Sequence, residues 1–402
     1  MEYHFSDKLA GLAPSAIREI FKSLVDPEII SFAAGNPAPE SFPVRELARL
    51  SEEIYRTAPV GALQYGMTEG YAPLRAAVAK RQKEVFGIGK SRAAGDAFDD
   101  STIIVSGGQQ GIELACKAFC NEGDVVLCEN PTFIGALNAF RSNGAVPVGV
   151  EMGENGITPA ALEAAIAANP RAKLIYLIPT FQNPTGITTG LAARREIYEI
   201  AKRHRLPIIE DNPYGELRFA GTDIPTIKSM DTEGLVIYCS TFSKILSAGM
   251  RVGFVVAPEE IAAKMVIAKQ VEDVHTNQFF QMLCYRYMTE CDLNAHIESI
   301  RAIYRRKCAL MLECLEKELP RGVTFTRPEG GLFLWCTLPE RVDGAAFVQK
   351  ALERKVAVVP GATFDCTPGA PSRAFRLNYS TPTEEQIIEG CRRLGAAARE
   401  CL

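Results

Sequence analysis

The sequence predicts an α/β protein built on a mainly parallel sheet, followed by a second, smaller α+β unit. Two observations carry this prediction. Between residues 100 and 260, short apolar runs alternate with helical patterns, which indicates βαβ units whose helices cover both faces of a parallel sheet. After residue 290, one long helical pattern is followed by strand-like runs and two further helices, which is typical of an α+β unit.

The elements of the first unit follow in regular order. Strands are expected at residues 102–105, 125–128, 174–178, 207–209, 235–239 and 254–256. Helices are expected at 110–121, 134–142, 158–168 and 191–205. The polar stretch 87–101, with Gly and Asp, predicts a surface loop.

The second unit begins with an amphipathic helix expected at 292–319. Strands are then expected at 323–326, 332–337, 356–359 and 375–379, with helices at 344–354 and 384–399.

Composition and charge narrow the class of function. The 402 residues are 47% apolar and 23% charged with a net charge of −4, which indicates neither a nucleic-acid nor a membrane surface. The first residues lack the apolar core of a signal peptide, and no apolar run approaches transmembrane length, so a cytoplasmic location is expected. Twelve cysteines without CxxC spacing and four scattered histidines predict structural thiols and no metal site.

Polar segments follow the predicted strands, at the sheet edge where ligands bind in α/β proteins. The segment SGGQQG (106–111) offers backbone N–H groups at a helix start, which suits a phosphate. After the next strands, Phe133 offers an aromatic ring and Asn183 an amide, while Asp211 and Tyr214 offer a carboxylate and a phenol.

Lys244, in the stretch STFSKILSAGMRVGF (240–254), lies between two apolar strand patterns, where a free ammonium is costly to bury. Thr241 and Ser243 place hydroxyls beside it, and Arg251 follows. One ligand would use all of these groups: pyridoxal 5′-phosphate (PLP), whose aldehyde forms a Schiff base with a lysine and whose ring nitrogen pairs with a carboxylate. Each feature alone is weak evidence, and their recurrence at five successive strand ends predicts this cofactor.

Four motifs, PTFQNPTG (179–186), EDNPYGELRF (210–219), STFSK (240–244) and RPEGGLFLW (327–335), resemble those of class I/II aminotransferases of fold type I. The resemblance runs nearly end to end and is closest to the branch of 2-aminoadipate and kynurenine aminotransferases. It implies a large PLP-binding domain (46–285) with a mainly parallel seven-stranded sheet, and a small C-terminal domain (286–402). An N-terminal segment (1–45) would contribute to the small domain and close the active site.

The resemblance also implies roles for individual residues. Lys244 would form the Schiff base and move protons, with Asp211 and Tyr214 completing the catalytic set. The implied cofactor-binding residues are Gly108, Gln109, Phe133, Asn183, Asp211, Tyr214, Thr241, Ser243, Lys244, Arg251 and, from the other subunit of a homodimer, Tyr65. The implied substrate-binding residues are Arg376, which grips the α-carboxylate, with Asn183, the Gly35 backbone and Arg18. Gly108 departs from the family pattern, because relatives often carry a serine there.

The implied reaction moves the amino group of an L-amino acid, such as 2-aminoadipate or an aromatic amino acid, to a 2-oxo acid such as 2-oxoglutarate. Arg18, in SAIREI (15–20), matches an arginine that meets the distal carboxylate in aminoadipate-using relatives; the alternative is a solvated arginine on an amphipathic helix.

Other functions remain to be weighed. A β-lyase or another PLP reaction stays open, since it needs the same Lys244 and Asp211. A ligand-sensing regulator would need a DNA-binding domain, and the residues before SFAAGNP (31–37) are few and not basic. A nicotinamide-dependent dehydrogenase is disfavoured because 107–111 does not fit GxGxxG spacing.

Overall fold

A computed structural model describes residues 3–10, 26–89 and 98–401. The helices are α1 (Asp7–Ala10), α2 (Val44–Thr57), α3 (Pro59–Leu63), α4 (Ala72–Phe86), α5 (Gly108–Phe119), α6 (Ile134–Ser142), α7 (Pro159–Ala168), α8 (Leu191–His204), α9 (Glu259–Glu272), α10 (Gln278–Glu290), α11 (Leu293–Glu318), α12 (Gly344–Glu353) and α13 (Glu384–Cys401). The strands are β1 (Ile30–Ser31), β2 (Asp100–Val105), β3 (Val125–Asn130), β4 (Val146–Gly153), β5 (Gly156–Ile157), β6 (Ala172–Leu177), β7 (Ile208–Asp211), β8 (Val236–Thr241), β9 (Gly253–Pro258), β10 (Thr324–Phe325), β11 (Phe333–Thr337), β12 (Val356–Ala357), β13 (Val359–Pro360) and β14 (Ala374–Asn378).

The larger sheet confirms the α/β prediction. Its strand order is β2-β9-β8-β7-β6-β3-β4-β5, and the pairs β4–β3, β3–β6, β6–β7 and β7–β8 are parallel. Strand β9 is antiparallel to both of its neighbours. The sheet has eight strands rather than seven, because the two-residue β5 pairs with the end of β4. Sequence patterns missed β4, whose residues are largely exposed at the sheet edge and include Pro147.

Helices cover both faces of this sheet and create two apolar cores. Leu174 and Tyr176 of β6 point into one core with α5 and α6, while Ile175 and Leu177 point into the other with α7 and α8. Successive side chains of a strand alternate between faces, so a central strand between two helical layers is apolar throughout. This burial explains why the central strands read as continuous apolar runs in the sequence.

The smaller sheet has the order β10-β11-β14-β13 and is wholly antiparallel. The predicted strand 356–359 is divided into β12, which pairs in parallel with β1, and β13, which joins the smaller sheet. Through β1, residues from before position 46 lie beside the C-terminal strand β12. The domain limits at 45 and 285 remain a prediction.

Three further observations bear on function. No helix in the described ranges is long and apolar enough to cross a membrane. All twelve cysteines are free thiols. Within residues 3–10, 26–89 and 98–401, no group of His, Cys, Asp and Glu is arranged to hold a metal ion.

Candidate active site

A cavity of about 240 Å³ lies where the predicted polar segments meet. Elements of both sheets contribute to it, with β7, β8 and the start of α5 on one side and β14 on the other. Twelve of the fourteen predicted site residues line it: Gly35, Gly108, Gln109, Phe133, Asn183, Asp211, Tyr214, Thr241, Ser243, Lys244, Arg251 and Arg376.

Lys244 ends a short 3-10 turn, Phe242–Lys244, that directly follows β8. The turn begins where the Thr241 hydroxyl accepts a hydrogen bond from the Ser243 N–H at 3.1 Å. Nζ of Lys244 donates to the Gly35 carbonyl at 2.8 Å. Burial, with the like charges of Arg376 and Arg251 nearby, lowers the pKa of Lys244 to about 8. A large fraction of this amine is therefore neutral near pH 8, as a nucleophile or base must be.

Asp211 is the last residue of β7 and is buried in the cavity wall. Burial raises the pKa of its carboxyl to about 7, against the lowering effects of Tyr176 and of the positive charge on Lys244. The Tyr176 hydroxyl, from the neighbouring strand β6, donates to Oδ2 of Asp211 at 2.8 Å. The carboxylate thus has one neutral donor, and a cation in the cavity would stabilise its charged form.

The segment 106–110, called here the glycine loop, follows β2 and includes the first turn of α5. Because α5 begins at Gly108, two residues before the predicted start, the N–H groups of Gly108 and Gln109 have no partner within the helix. Gly107 has φ +89°, and a Cβ there would lie 2.1 Å from Nη2 of Arg251. A Cβ on Gly253 would lie 2.8 Å from the backbone of Gly107 and Gly108. Glycine is required at both positions because the loop, the arginine and β9 approach so closely.

Hydroxyl groups and a cation border the same loop. The hydroxyls of Thr241 and Ser243 lie 2.8 Å apart. Arg251, which has φ +55°, donates to the carbonyls of Ala248 at 3.2 Å and Ser106 at 3.1 Å. Among the described residues, no carboxylate pairs with this guanidinium. Free N–H groups, hydroxyls and an unneutralised arginine together form a site for a phosphate dianion.

The aromatic ring of Phe133 and the phenol of Tyr214 also line the cavity. Phe133 is the N-cap residue that precedes α6, and its ring occupies the space that a side chain at Gly135 would fill, with a hypothetical Cβ only 2.3 Å away. Tyr214 is buried, its pKa is raised by that burial, and Asn183 hydrogen-bonds its side chain. A flat ring, a phenol and an amide suit a planar ligand with a polar edge.

Arg376 lies in the middle of β14 and is 2% exposed. Its guanidinium lies 4.1 Å from the ring centre of Phe333 and 5.0 Å from that of Phe364. Nη1 donates to Oδ1 of Asn183 at 2.9 Å and Nη2 donates to the Ala33 carbonyl at 2.8 Å, while buried Nε has no partner. Burial lowers the pKa of Arg376 to about 10. A buried guanidinium with no carboxylate partner among the described residues is a site for an anionic ligand group.

These residues fit PLP. The donor set supplies an anion site at the glycine loop, a carboxylate at Asp211, an amide and a phenol, an aromatic face and a poised amine at Lys244. Arg376 lies outside that set and remains available for a second anionic group.

Among the described residues predicted for the site, Tyr65 does not line this cavity. Tyr65 is 81% exposed, and its ring packs edge-on against His275 at 5.8 Å. Arg18 lies outside the described residues. Sequence reasoning also missed Tyr176, Phe333 and Phe364. The one signal for Tyr176 is a hydroxyl-bearing residue in an otherwise aliphatic strand, and neither phenylalanine differs from an ordinary core residue in the sequence.

Residues 27–394 match the family model described as aminotransferase class I and II. A 2-aminoadipate transaminase of Thermus thermophilus is 41% identical over 99% of this chain and 97% of its own length. Aromatic-amino-acid aminotransferase 1 of Thermococcus litoralis is 38% identical over 99% of this chain and 95% of its own length.

A solved structure shows the same fold with a ligand. The α-aminoadipate aminotransferase of Thermus thermophilus, complexed with N-(5′-phosphopyridoxyl)-L-leucine, has a TM-score of 0.88 and 39% identity. The match covers 99% of this chain and 97% of that one.

Proposed function

This chain belongs to the class I and II aminotransferases, and we propose that it moves the amino group of an aromatic, aliphatic or 2-aminoadipate donor to 2-oxoglutarate. The enzyme is a transaminase and its cofactor is PLP. The observation that carries the proposal is that one cavity is lined by both the half-buried amine of Lys244 and the buried guanidinium of Arg376. The Lys244 amine is available for the cofactor, and the Arg376 guanidinium lacks a carboxylate partner in the described chain.

Each part of the cofactor has residues to hold it. PLP, when bound, supplies an aldehyde that condenses with amines and a ring that draws electrons from the substrate carbon. We assign the phosphate to Gly108, Gln109, Thr241, Ser243 and Arg251, the ring nitrogen to Asp211, the ring oxygen to Asn183 and Tyr214, the ring face to Phe133, and the aldehyde to Lys244.

The chain's own residues bind the donor and move its proton. Arg376, assisted by Asn183, binds the α-carboxylate and orients the α-carbon toward Lys244. Nζ of Lys244, with its lowered pKa, takes the proton from the α-carbon as a general base, and the resulting ammonium can then act as a general acid. Asp211 would hold the ring nitrogen of the cofactor, and its carboxylate would favour the protonated form of that nitrogen. The rings of Phe133 and Phe333, which both line the cavity, would limit the access of water to the reacting carbon.

A homodimer in the cytoplasm is part of the proposal. Val60, Leu63, Tyr65 and Met67 lie on α3 and the segment after it, and each is more than two-thirds exposed. An apolar surface of this kind is suited to burial against a second copy. There, Tyr65 would contribute to the phosphate site of the partner subunit.

The test is the visible absorption of the bound cofactor, with product analysis. We expect L-2-aminoadipate, L-phenylalanine or L-leucine to deplete the band of PLP-loaded protein and 2-oxoglutarate to restore it. The matching 2-oxo acid and glutamate should form in equal amounts. A Lys244→Ala variant, which lacks the proton carrier, should leave the products at background. With L-cysteine, whose β-carbon carries a leaving group, release of pyruvate and ammonia without a 2-oxo acid acceptor, together with no exchange of the three donors above, would instead identify a β-lyase and contradict the proposal.

A further inference from the structure

Lys269 is a buried cation that the proposed chemistry leaves unexplained. It lies near the end of α9, its side chain has no exposed area, and it does not line the active-site cavity. Burying an ammonium group is costly unless the group is paired and hydrogen-bonded. A fully buried lysine therefore needs partners for its three N–H donors.

Asp273 and Gln110 are those partners. Nζ of Lys269 donates to Oδ1 of Asp273 at 2.8 Å, to Oδ2 at 2.9 Å, and to Oε1 of Gln110 at 2.8 Å. Oδ2 of Asp273 also accepts from Nε2 of Gln110 at 2.9 Å and from the Ser106 hydroxyl at 2.7 Å. An ammonium, a carboxylate, an amide and a hydroxyl thus form one connected network.

This network holds both ends of the glycine loop. Ser106 is its first residue, and the Ser106 N–H donates to Oε1 of Gln110, its last residue, at 2.7 Å. Between them, Gly107 and Gly108 have no side chains that could fix their own conformation. From the cavity side, only Arg251 among the described residues binds the loop through a side chain, at the Ser106 carbonyl.

We infer that Lys269 and Asp273 are positioning residues for cofactor binding. They fix Ser106 and Gln110, so that the N–H groups of Gly108 and Gln109 are preorganised for the phosphate of PLP. This inference rests on the proposed placement of the phosphate at the glycine loop.

The pair acts through geometry rather than net charge, because Lys269 and Asp273 neutralise each other. Preorganisation of donors lowers the cost of ordering them when a ligand binds. Loss of the pair should therefore weaken recognition of the phosphate and leave recognition of the aldehyde and ring unchanged.

The test compares PLP with pyridoxal, which has the same aldehyde and ring but no phosphate. Cofactor is removed from full-length wild type, Lys269→Met, Ser106→Ala and the control Lys264→Met, whose side chain is exposed on the same helix. Dissociation constants for both ligands are measured by titration of the visible absorption. The readout is the ratio of the two constants, which a general loss of stability does not change.

We expect Lys269→Met to raise the dissociation constant of PLP by about 10- to 100-fold and Ser106→Ala by about 3- to 10-fold. The constant for pyridoxal should change by less than about twofold in each variant. Lys264→Met should alter neither constant, because no hydrogen bond joins it to the described residues of the loop.

Equal weakening of PLP and pyridoxal, or unaltered PLP binding in Ser106→Ala, would overturn the inference. Ser106→Ala decides the matter if Lys269→Met does not fold, because it removes one hydroxyl and leaves every charge in place. A wild type that binds PLP no more tightly than pyridoxal would instead overturn the placement of the phosphate.

Discussion

The two sheets contribute to the cavity in different ways. The eight-stranded sheet presents Asp211 as the last residue of β7 and Lys244 from the turn that follows β8. The four-stranded sheet presents Arg376 from the middle of β14, where the strand continues on both sides. A residue at the end of a strand lies where backbone pairing stops, so its side chain can face a cavity. A guanidinium in the middle of a strand is surrounded by other side chains, and these must satisfy its charge and its hydrogen bonds.

That accommodation is visible around Arg376. Phe333 and Phe364 cover the guanidinium, and Asn183 and the Ala33 carbonyl accept two of its hydrogen bonds. Chain topology therefore positions the groups that we assign to the cofactor, and side-chain packing positions the group that we assign to the substrate. Four predictions test this difference, in decreasing order of expected effect.

Lys244→Ala should reduce turnover by about 10⁴-fold, the upper end for loss of a proton-transfer group. Steady-state rates with 2-oxoglutarate measure the effect. Lys80→Ala, a change of an exposed lysine on α4, should retain full activity. Substantial turnover by Lys244→Ala would show that another group moves the proton.

Asp211→Asn should change how the stability of the cofactor-free protein depends on pH. A pKa of about 7 in the folded state, against 3.8 for an ordinary aspartate, means that the folded protein holds an extra proton between these values. The free energy of unfolding therefore falls as pH rises from 4 to 7, by about 4 kcal/mol.

Asparagine removes this loss, so denaturant unfolding of Asp211→Asn should depend less on pH over that range. Glu196→Gln, on the exposed face of α8, serves as a control that should keep the wild-type dependence. An identical pH profile for Asp211→Asn and wild type would mean that Asp211 is ionised throughout.

Arg376→Lys should lower kcat/KM by about 10²-fold, because a lysine keeps the charge but loses the planar pair of donors. The loss should be similar for every donor, since all share the α-carboxylate. Arg373→Lys, an exposed change at the edge of β14, should have little effect. Losses that depend strongly on the donor side chain would assign Arg376 to that side chain instead.

Tyr176→Phe should have the smallest effect, a weakening of cofactor affinity by about 3- to 10-fold. The variant removes the hydrogen bond to Asp211 and raises the pKa of that carboxyl further. Equilibrium dialysis measures the affinity of the variant for PLP. Tyr198→Phe removes a phenol that donates to a different buried carboxylate, Asp231, and should not change PLP affinity.

The sequence predicts most of the strand-end chemistry, because a change from apolar to polar residues marks where each central strand stops. Lys244, Asp211 and Asn183 all follow such changes and line the cavity. The same patterns place α6 correctly and the six other predicted helices to within two residues of their observed bounds. They fail at β4, whose exposed edge position removes the continuous burial that marks a central strand.

What the sequence could not supply depends on neighbours distant along the chain. Tyr176 reaches Asp211 across a strand pair separated by 35 positions, and Phe364 meets Arg376 only after β13 and β14 have paired. The Lys269 network likewise joins residues that are about 160 positions apart. No local periodicity records such contacts. Arg376 is predicted as a site residue from the family resemblance alone. The aromatic rings around it are evident only in the folded structure.

The position of Gly253 limits which substitutions the sequence can accept. At Gly253, the backbone of β9 lies directly against the backbone of the glycine loop, and no flexible side chain lies between them. Even the single methyl of alanine would push against the loop atoms themselves. Among random variants that keep activity, glycine should therefore be retained at position 253. Gly253 contributes no chemical group, so a search for reactive residues would not identify it. A protein designer must therefore infer the need for glycine at position 253 from the distances between backbone atoms.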